Sequence, residues 1–423
     1  MHARGMDIHR DARGGRSIER ADHSRVYVNR AGHGYVQRRF DYHGREFAGR
    51  SYYYHGRPYS VYYQRFGYRG VYLEGYAPAA YYAPAFYGWA YNPWVAPVPY
   101  TWGFVGAPWY GFYGGFFAPY PVYPTASLWL TDYLISQSLA AAYQERQDAA
   151  AAAAAQGGAP AAGGQVAMSP EIKQAVADEV KRQLALENAE SQTGKTGDVD
   201  PNSSGLPRIL AEVNASNPRV FVVGSALTVT DASGQECSLS EGDVLRLSAP
   251  PAQDATSANI EVFAAKGQEC ARGNTVAVDF TDLQEMQNHM RSNIDQGLQE
   301  LQAHKGGLPA PPPSAAAAPT PSSFASVAPP PDPNVADELK AQAKEADGAE
   351  QEVLAEAKTD AGGAGAPAAP AAPPAEIATG QTIDQVTAAM GNPKQILKVG
   401  AKQIYVYPDL KITFVNGKVT DVQ

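Results

Sequence analysis

From Gly75 to Thr131 the chain carries no charged side chain, and before Lys173 it carries no lysine. Its cysteines number only two, Cys237 and Cys270. No long apolar run is free of proline: nine prolines, from Pro78 to Pro124, break the uncharged tract every few residues. A membrane-spanning helix does not tolerate that spacing, so the tract is not read as one. Two cysteines with no histidine nearby cannot make a zinc site, which needs four ligands or three plus water. They pair as a disulfide if the protein is exported and otherwise stand as two half-buried thiols. The first residues, MHARGMDIHRDARGG, lack the apolar stretch of a signal peptide. The chain is therefore cytosolic, or a leader precedes Met1.

Catalytic signatures are missing as well. There is no phosphate-binding loop, no dinucleotide glycine fingerprint after a strand, and no Gly-x-Ser-x-Gly elbow. His33, His43 and His55 recur beside turn glycines, where histidine tolerates the geometry, which weighs against metal ligation. The reading is of a protein that is not an enzyme, with no cofactor, no metal and no identified small-molecule substrate.

What the chain does have is aromatic residues in one place. All five tryptophans, Trp89, Trp94, Trp102, Trp109 and Trp129, fall in or at the end of the uncharged tract. Steps such as Pro93-Trp94 and Pro108-Trp109 favour extended or polyproline conformations. Two readings stand. Either the tract packs its own rings against the preceding hairpins, or Trp94, Trp102, Trp109 and Trp129 form an aromatic interaction surface. Between Arg4 and Arg69 the cations are all arginine and outnumber the acids, while the remainder is acidic, to a net charge of -9. Such asymmetry suits a basic arm meeting an anionic surface or polymer, or simply a solvated basic segment.

The fold class read from these patterns is multi-domain α+β with long disordered linkers. Residues 1–30 read as a disordered basic arm. Residues 31–148 read as a hairpin and irregular region ending in a helix that Thr125 or Ser127 caps. Within it, X-Gly pairs at His43-Gly44, His55-Gly56 and Arg69-Gly70 predict a meander of short antiparallel strands over Tyr35–Tyr76. Alternation would put tyrosine on one face and arginine on the other in places. Residues 149–168 form a linker and 169–190 a helix whose stripe Ile172, Val176, Val180, Leu184 suggests docking or helix pairing.

Residues 200–304 read as a small β-barrel-like domain. A helix follows, opened by a capping box at Thr281 and striped by Leu283, Met286, Met290, Ile294 and Leu301. Residues 305–375 form a Pro/Ala linker interrupted by a charged helix at 336–358. Ala-Pro linkers of this kind favour the exported alternative and a bacterial cell envelope or secreted location.

Residues 376–423 predict a helix on a small antiparallel sheet, with a capping box at Thr382 and a hairpin turn at Asn416-Gly417. Gly380, the helix-ending Met390-Gly391-Asn392-Pro393, Tyr405, Tyr407, and Phe414-x-x-Gly417-x-Val419 are the features that carry a likeness. On them the segment resembles the BamE-like (SmpA/OmlA) domain of bacterial outer-membrane lipoproteins. The resemblance implies a small helix-plus-three-strand fold and an accessory role in inserting β-barrel proteins into the outer membrane. It covers residues 376–423 of 423. The family's lipid-bearing cysteine and its second helix have no counterpart here.

The function expected is a non-enzymatic envelope or secreted interaction protein. Its partners would be envelope proteins or a membrane or polysaccharide surface, met through an aromatic anchoring region and tethered modules. The alternative is a cytosolic protein that binds nucleic acid through the Arg/Tyr/Gly arm.

Overall fold

The structure is a computed structural model. It describes residues 2–3, 6–10, 15–20, 22–29, 32–54, 56–155, 167–193, 199–267, 269–303, 311–362, 381–390, 395–399, 402–407, 411–415 and 418–422. The chain divides into two units, Met1–Leu354 and Ala355–Gln423. The first opens with strands β1 (His2–Ala3), β2 (Met6–Arg10), β3 (Arg16–Glu19), β4 (Arg25–Val28), β5 (Gly34–Tyr42), β6 (Arg45–Tyr54), β7 (Arg57–Tyr68) and β8 (Val71–Ala77). They pair in chain order as one antiparallel meander.

The turns of this meander follow from their sequences. His43 and Gly44 take φ of 50° and 72°, and Arg69 and Gly70 take 46° and 82°. Two left-handed residues in succession make the tight turn whose twist matches that of paired strands. The basic segment before Asn29 is thus not an arm. Its described residues form β1 to β4, because Ile8, Ile18, Val26 and Val28 alternate with polar residues and bury one face.

After the short β9 (Ala80–Tyr81), the uncharged tract forms helix α1 (Pro84–Tyr91), β10 (Val98–Pro99), a 3₁₀ turn over Gly103–Gly106, helix α2 (Pro108–Tyr113) and β11 (Val122–Tyr123). Part of the tract expected to be extended is therefore helical. Pro84 and Pro108 each occupy the start of a helix, where the missing N–H is no loss and the fixed φ already suits the first turn. Four helices follow among the described residues: α3 (Ala126–Ala155), α4 (Pro170–Thr193), the short α5 (Pro201–Ser204) and α6 (Leu206–Glu212). Thr125 Oγ1 accepts from the Leu128 N–H at 3.2 Å and so caps α3.

The tract and α3 bury Phe86, Tyr87, Phe116, Phe117, Tyr123 and Trp129 in a single core. The stripe of α4 (Ile172, Val176, Val180, Leu184) belongs to the same core. Beneath it, Asp132 of α3 is fully buried and accepts from Tyr123 Oη and from the Tyr120 N–H, both at 2.6 Å. Lys173 of α4 completes an ion pair with it at 2.8 Å. Burial pushes the Asp132 carboxyl up and the Lys173 ammonium down, and their mutual attraction opposes both shifts.

The second sheet contains β12 (Arg219–Val222), β13 (Leu227–Asp231), β14 (Glu236–Leu239), β15 (Val244–Leu247), β16 (Ser257–Ala264) and β17 (Thr275–Asp279). Its order, β12-β15-β16-β17-β13-β14, is antiparallel throughout and open, where a barrel-like domain was expected. Cys237 of β14 and Cys270 form a disulfide with Cα atoms 5.3 Å apart. Helix α7 (Phe280–Gln302) begins one residue before Thr281, with Asp279 at the N-cap position and the Phe280 N–H satisfied outside the helix by Thr256 O.

Residues 311–334 are not free linker either. The strand β18 (Thr320–Pro321) pairs with β9, and Phe324 stacks on Phe47 at 5.0 Å on the apolar face of the meander. Helix α8 (Val335–Gly362) then lays Val335, Leu339, Ala346 and Ala349 on Ile8, Ile18, Val26, Val28 and Val36.

In the second unit, α9 (Ile383–Met390) precedes the four-stranded meander β19 (Gln395–Val399), β20 (Lys402–Val406), β21 (Lys411–Val415) and β22 (Lys418–Val422). Thr382 and Gln385 cap α9 reciprocally, the Thr382 N–H donating to Gln385 Oε1 at 3.0 Å and the Gln385 N–H to Thr382 Oγ1 at 3.4 Å. Val386 packs with Tyr405, Tyr407, Ile412, Phe414 and Val419. Gly380, residues 391–393 and the Asn416-Gly417 turn lie outside the described residues.

Candidate functional site

The two faces of the meander are chemically different. Register places Tyr27 opposite Tyr35, Tyr35 opposite Tyr52, and Tyr52 opposite Tyr59. These four rings cross β4 to β7 as one row, with successive centroids 5.6, 5.4 and 5.2 Å apart. Each ring is half-buried and stands toward an open cleft of about 2070 Å³. Residues of α3 and α7 line it as well, including Gln137, Gln144, Gln296 and Gln299.

One step along the strands from Tyr52, Arg50 lies on the same face as the tyrosines. Arginine and tyrosine therefore share this face at Arg50, which is not one of the places where alternation separates them. The guanidinium is sandwiched between the rings of Tyr35 (4.7 Å) and Tyr63 (4.1 Å). It donates to Gln37 Oε1 at 2.8 Å, to Glu74 Oε2 at 2.8 Å, and to both carboxylate oxygens of Glu285 at 2.6 and 2.9 Å. Stacking and forked hydrogen bonding together need the planar five-donor head that only arginine has. Burial pushes the Tyr35 phenol up to about 12 and raises the Tyr52 phenol as well, so these two rings of the floor are neutral phenols at ordinary pH.

Helix α7 is held to the edge strand β8 by Asn288. Its side chain accepts from the Tyr76 N–H at 2.8 Å and donates to Glu74 O at 2.7 Å, imitating the next strand of the sheet. Around it stand three perturbed groups. Burial, with Asp279 and Glu285 adding like charge, raises the Asp282 carboxyl to about 6. Burial likewise raises Asp295, which accepts from Tyr76 Oη at 2.5 Å. Burial lowers His289 to about 4. That imidazole bonds Ser138 Oγ at 3.1 Å and packs on Gly224, where a Cβ would sit 2.3 Å from its Cγ.

Of the tryptophans singled out in the sequence, Trp102 and Trp129 are core residues, 7% and 1% exposed, and offer no contact surface. Trp102 Nε1 donates to Tyr123 Oη at 2.8 Å. Trp94 and Trp109 are partly buried against the same core, and Trp109 also borders the cleft. Cys237 and Cys270 lie in the second sheet's core, apart from the cleft residues. His43 lies in its hairpin turn, and His55 is outside the described residues. Among the described residues, no group of three or more His, Cys, Asp or Glu could hold a metal ion. No helix among them is long and apolar enough to cross a membrane.

The cleft residues Tyr27, Tyr35, Arg50, Tyr52 and Tyr59 were not singled out by sequence. The available signal was the pair of tyrosine-bearing hairpin arms, from which the cross-strand row follows once the turn lengths fix the register. No protein-family model, curated protein or solved structure matches the chain.

Proposed function

We propose that this is a non-enzymatic binding protein of an oxidising, extracytoplasmic compartment of a bacterium, with the tyrosine-floored cleft as its ligand-contacting surface. The C-terminal unit, with its BamE-like resemblance, would be a second, tethered module for an envelope partner. The observation that carries the reading is the row of four half-exposed tyrosines facing an open cleft. Tyrosine presents a large apolar body and a polar tip at low conformational cost, which is why such rings recur where surfaces bind partners.

Two further features support it. The Cys237–Cys270 disulfide is the kind that persists in oxidising compartments. Three of the arginines that a nucleic-acid reading needs are engaged within the chain: Arg20 and Arg38 with Glu338 at 2.6 and 3.1 Å, and Arg16 with Asp347. Phosphates would have to displace those carboxylates.

The test is co-sedimentation of purified protein with washed bacterial envelope material. The parent protein pellets with the envelopes, and a Tyr35→Ala/Tyr52→Ala variant with unchanged circular dichroism pellets at least fivefold less. Pelleting that disappears on nuclease treatment would favour the nucleic-acid alternative and overturn the proposal.

A further inference from the structure

We infer that the ligand of the cleft is an uncharged polysaccharide segment, lying across the strands above Tyr27, Tyr35, Tyr52 and Tyr59. The inference rests on the cleft being the binding surface and adds the chemistry of what fills it. Three observations carry it.

Size comes first. At about 2070 Å³ the cleft exceeds the roughly 300–1,000 Å³ of sites that enclose a small ligand. It is a trough with the tyrosine row along its floor, which suits a stretch of polymer more than a single metabolite.

Charge is the second. Four arginines border the cleft, and each already faces a carboxylate of the same sheet or of α7. Arg50 holds Glu74 and Glu285, Arg39 and Arg65 both hold Glu46 at 2.9 Å, and Arg25 lies 3.9 Å from Glu19. Of these only the Arg50 pairs involve a buried cation: a polyanion would have to compete there with two carboxylates, and a polycation would have to pull Glu74 from that buried guanidinium. Breaking a buried pair leaves an uncompensated charge, which is costly. A neutral chain meets neither obstacle.

Hydrogen-bonding chemistry is the third. Lining the same cleft are Gln137, Gln144, Gln296 and Gln299, with Gln144 and Gln299 exposed. Carboxamides and phenols each donate and accept, as sugar hydroxyls do, while aromatic ring faces pack on the C–H faces of sugars. Trp109 adds an indole at the border of the same trough.

Affinity electrophoresis tests the assignment. The full chain is run in native gels containing hydroxyethyl cellulose, dextran or glycol chitin as uncharged probes, with polygalacturonate and a proline-rich peptide as comparison ligands. Retardation is expected with at least one uncharged polymer. Tyr35→Ala/Tyr52→Ala should weaken it at least tenfold, and Trp109→Ala, at the border of the trough, two- to fivefold. Tyr52→Phe, which keeps the ring, should retain most of it. Migration unaffected by all three uncharged polymers overturns the glycan inference. If envelope co-sedimentation still depends on Tyr35 and Tyr52, the cleft reading survives that result, and binding to the peptide or polygalacturonate names the replacement class. If the tyrosine substitutions alter neither assay, both readings fall.

Discussion

Asp282 shows what a single residue costs a cleft wall that is half out of water. Its carboxyl is raised to about 6 by burial and by the neighbouring Asp279 and Glu285, against about 3.9 in an unfolded chain. The folded state therefore prefers the neutral acid. That preference is present in full below about pH 4 and is lost as pH rises through about 6. His289, lowered to about 4, works with the opposite sign over an overlapping range: its neutral form is favoured, so its contribution is present above about 6.5 and lost as pH falls through about 4. A raw pH profile mixes the two, and only a difference between variants isolates one. Asp282→Asn should match the parent near pH 4 and exceed it at pH 7 by at most about 2–3 kcal/mol, the gap opening between pH 4 and 6. Urea unfolding at pH 4, 5, 6 and 7 reads this directly, and a variant less stable than the parent at pH 7 would refute it. Sequence pattern placed Asp282 in a capping box, because the spacing of Thr281 and Gln284 fits one; Gln284 is instead buried, bonding Asn288 and the Leu206 N–H.

Among the elements, α7 separates what periodicity reveals from what it hides. Leu283, Met286, Met290, Ile294 and Leu301 were visible as a stripe, and all are buried. Gln284, Asn288 and Arg291 read as the polar side of the same helix, yet they too are buried, at 2%, 1% and 3% exposure. A second neighbour, the edge of β8, covers that face, and no pattern within the helix announces a strand more than two hundred residues away. Asn288 is what makes the contact specific. A sheet edge offers unpaired N–H and C=O groups, and its amide satisfies one of each. Asn288→Ala would leave the Tyr76 N–H and Glu74 C=O without partners under the helix. The expected loss is about 2–4 kcal/mol, from two orphaned backbone groups at about 1–3 kcal/mol each with partial relief by water. Asn288→Gln should not rescue it, since the longer side chain displaces both amide atoms. Chemical denaturation with the slope held constant measures the loss, and a change below about 0.5 kcal/mol would mean that the amide is not the link.

For the first unit as a whole, the question is where its charge asymmetry goes. The sequence divides into an arginine-rich beginning and an acidic remainder, which suggested an external anionic partner. Within Met1–Leu354 the partner is internal: the acidic α8 lies on the basic strands, with Glu338 between Arg20 and Arg38 and Asp347 beside Arg16. The meander over Tyr35–Tyr76 was legible because its X-Gly turns are local signals, and α8 was legible as a helix. Their union was not, because a helix with alanine at Ala346 and Ala349 has too weak a stripe to show that it is docked.

The apolar layer decides whether the helix stays. Surface ion pairs each contribute only about 0–1 kcal/mol, whereas Val335 and Leu339 are 0% and 3% exposed against Ile18 and Val26. Raising salt to 1 M should therefore leave α8 in place, while Val335→Asp/Leu339→Asp should release it. Hydrogen exchange in the full chain distinguishes these outcomes. The double variant should lose protection in residues 335–354 and in β2 to β4, while β15 to β17, on a separate core, keep theirs. Loss of protection by salt alone would make the ion pairs, not the buried layer, the force that folds the acidic helix onto the basic strands.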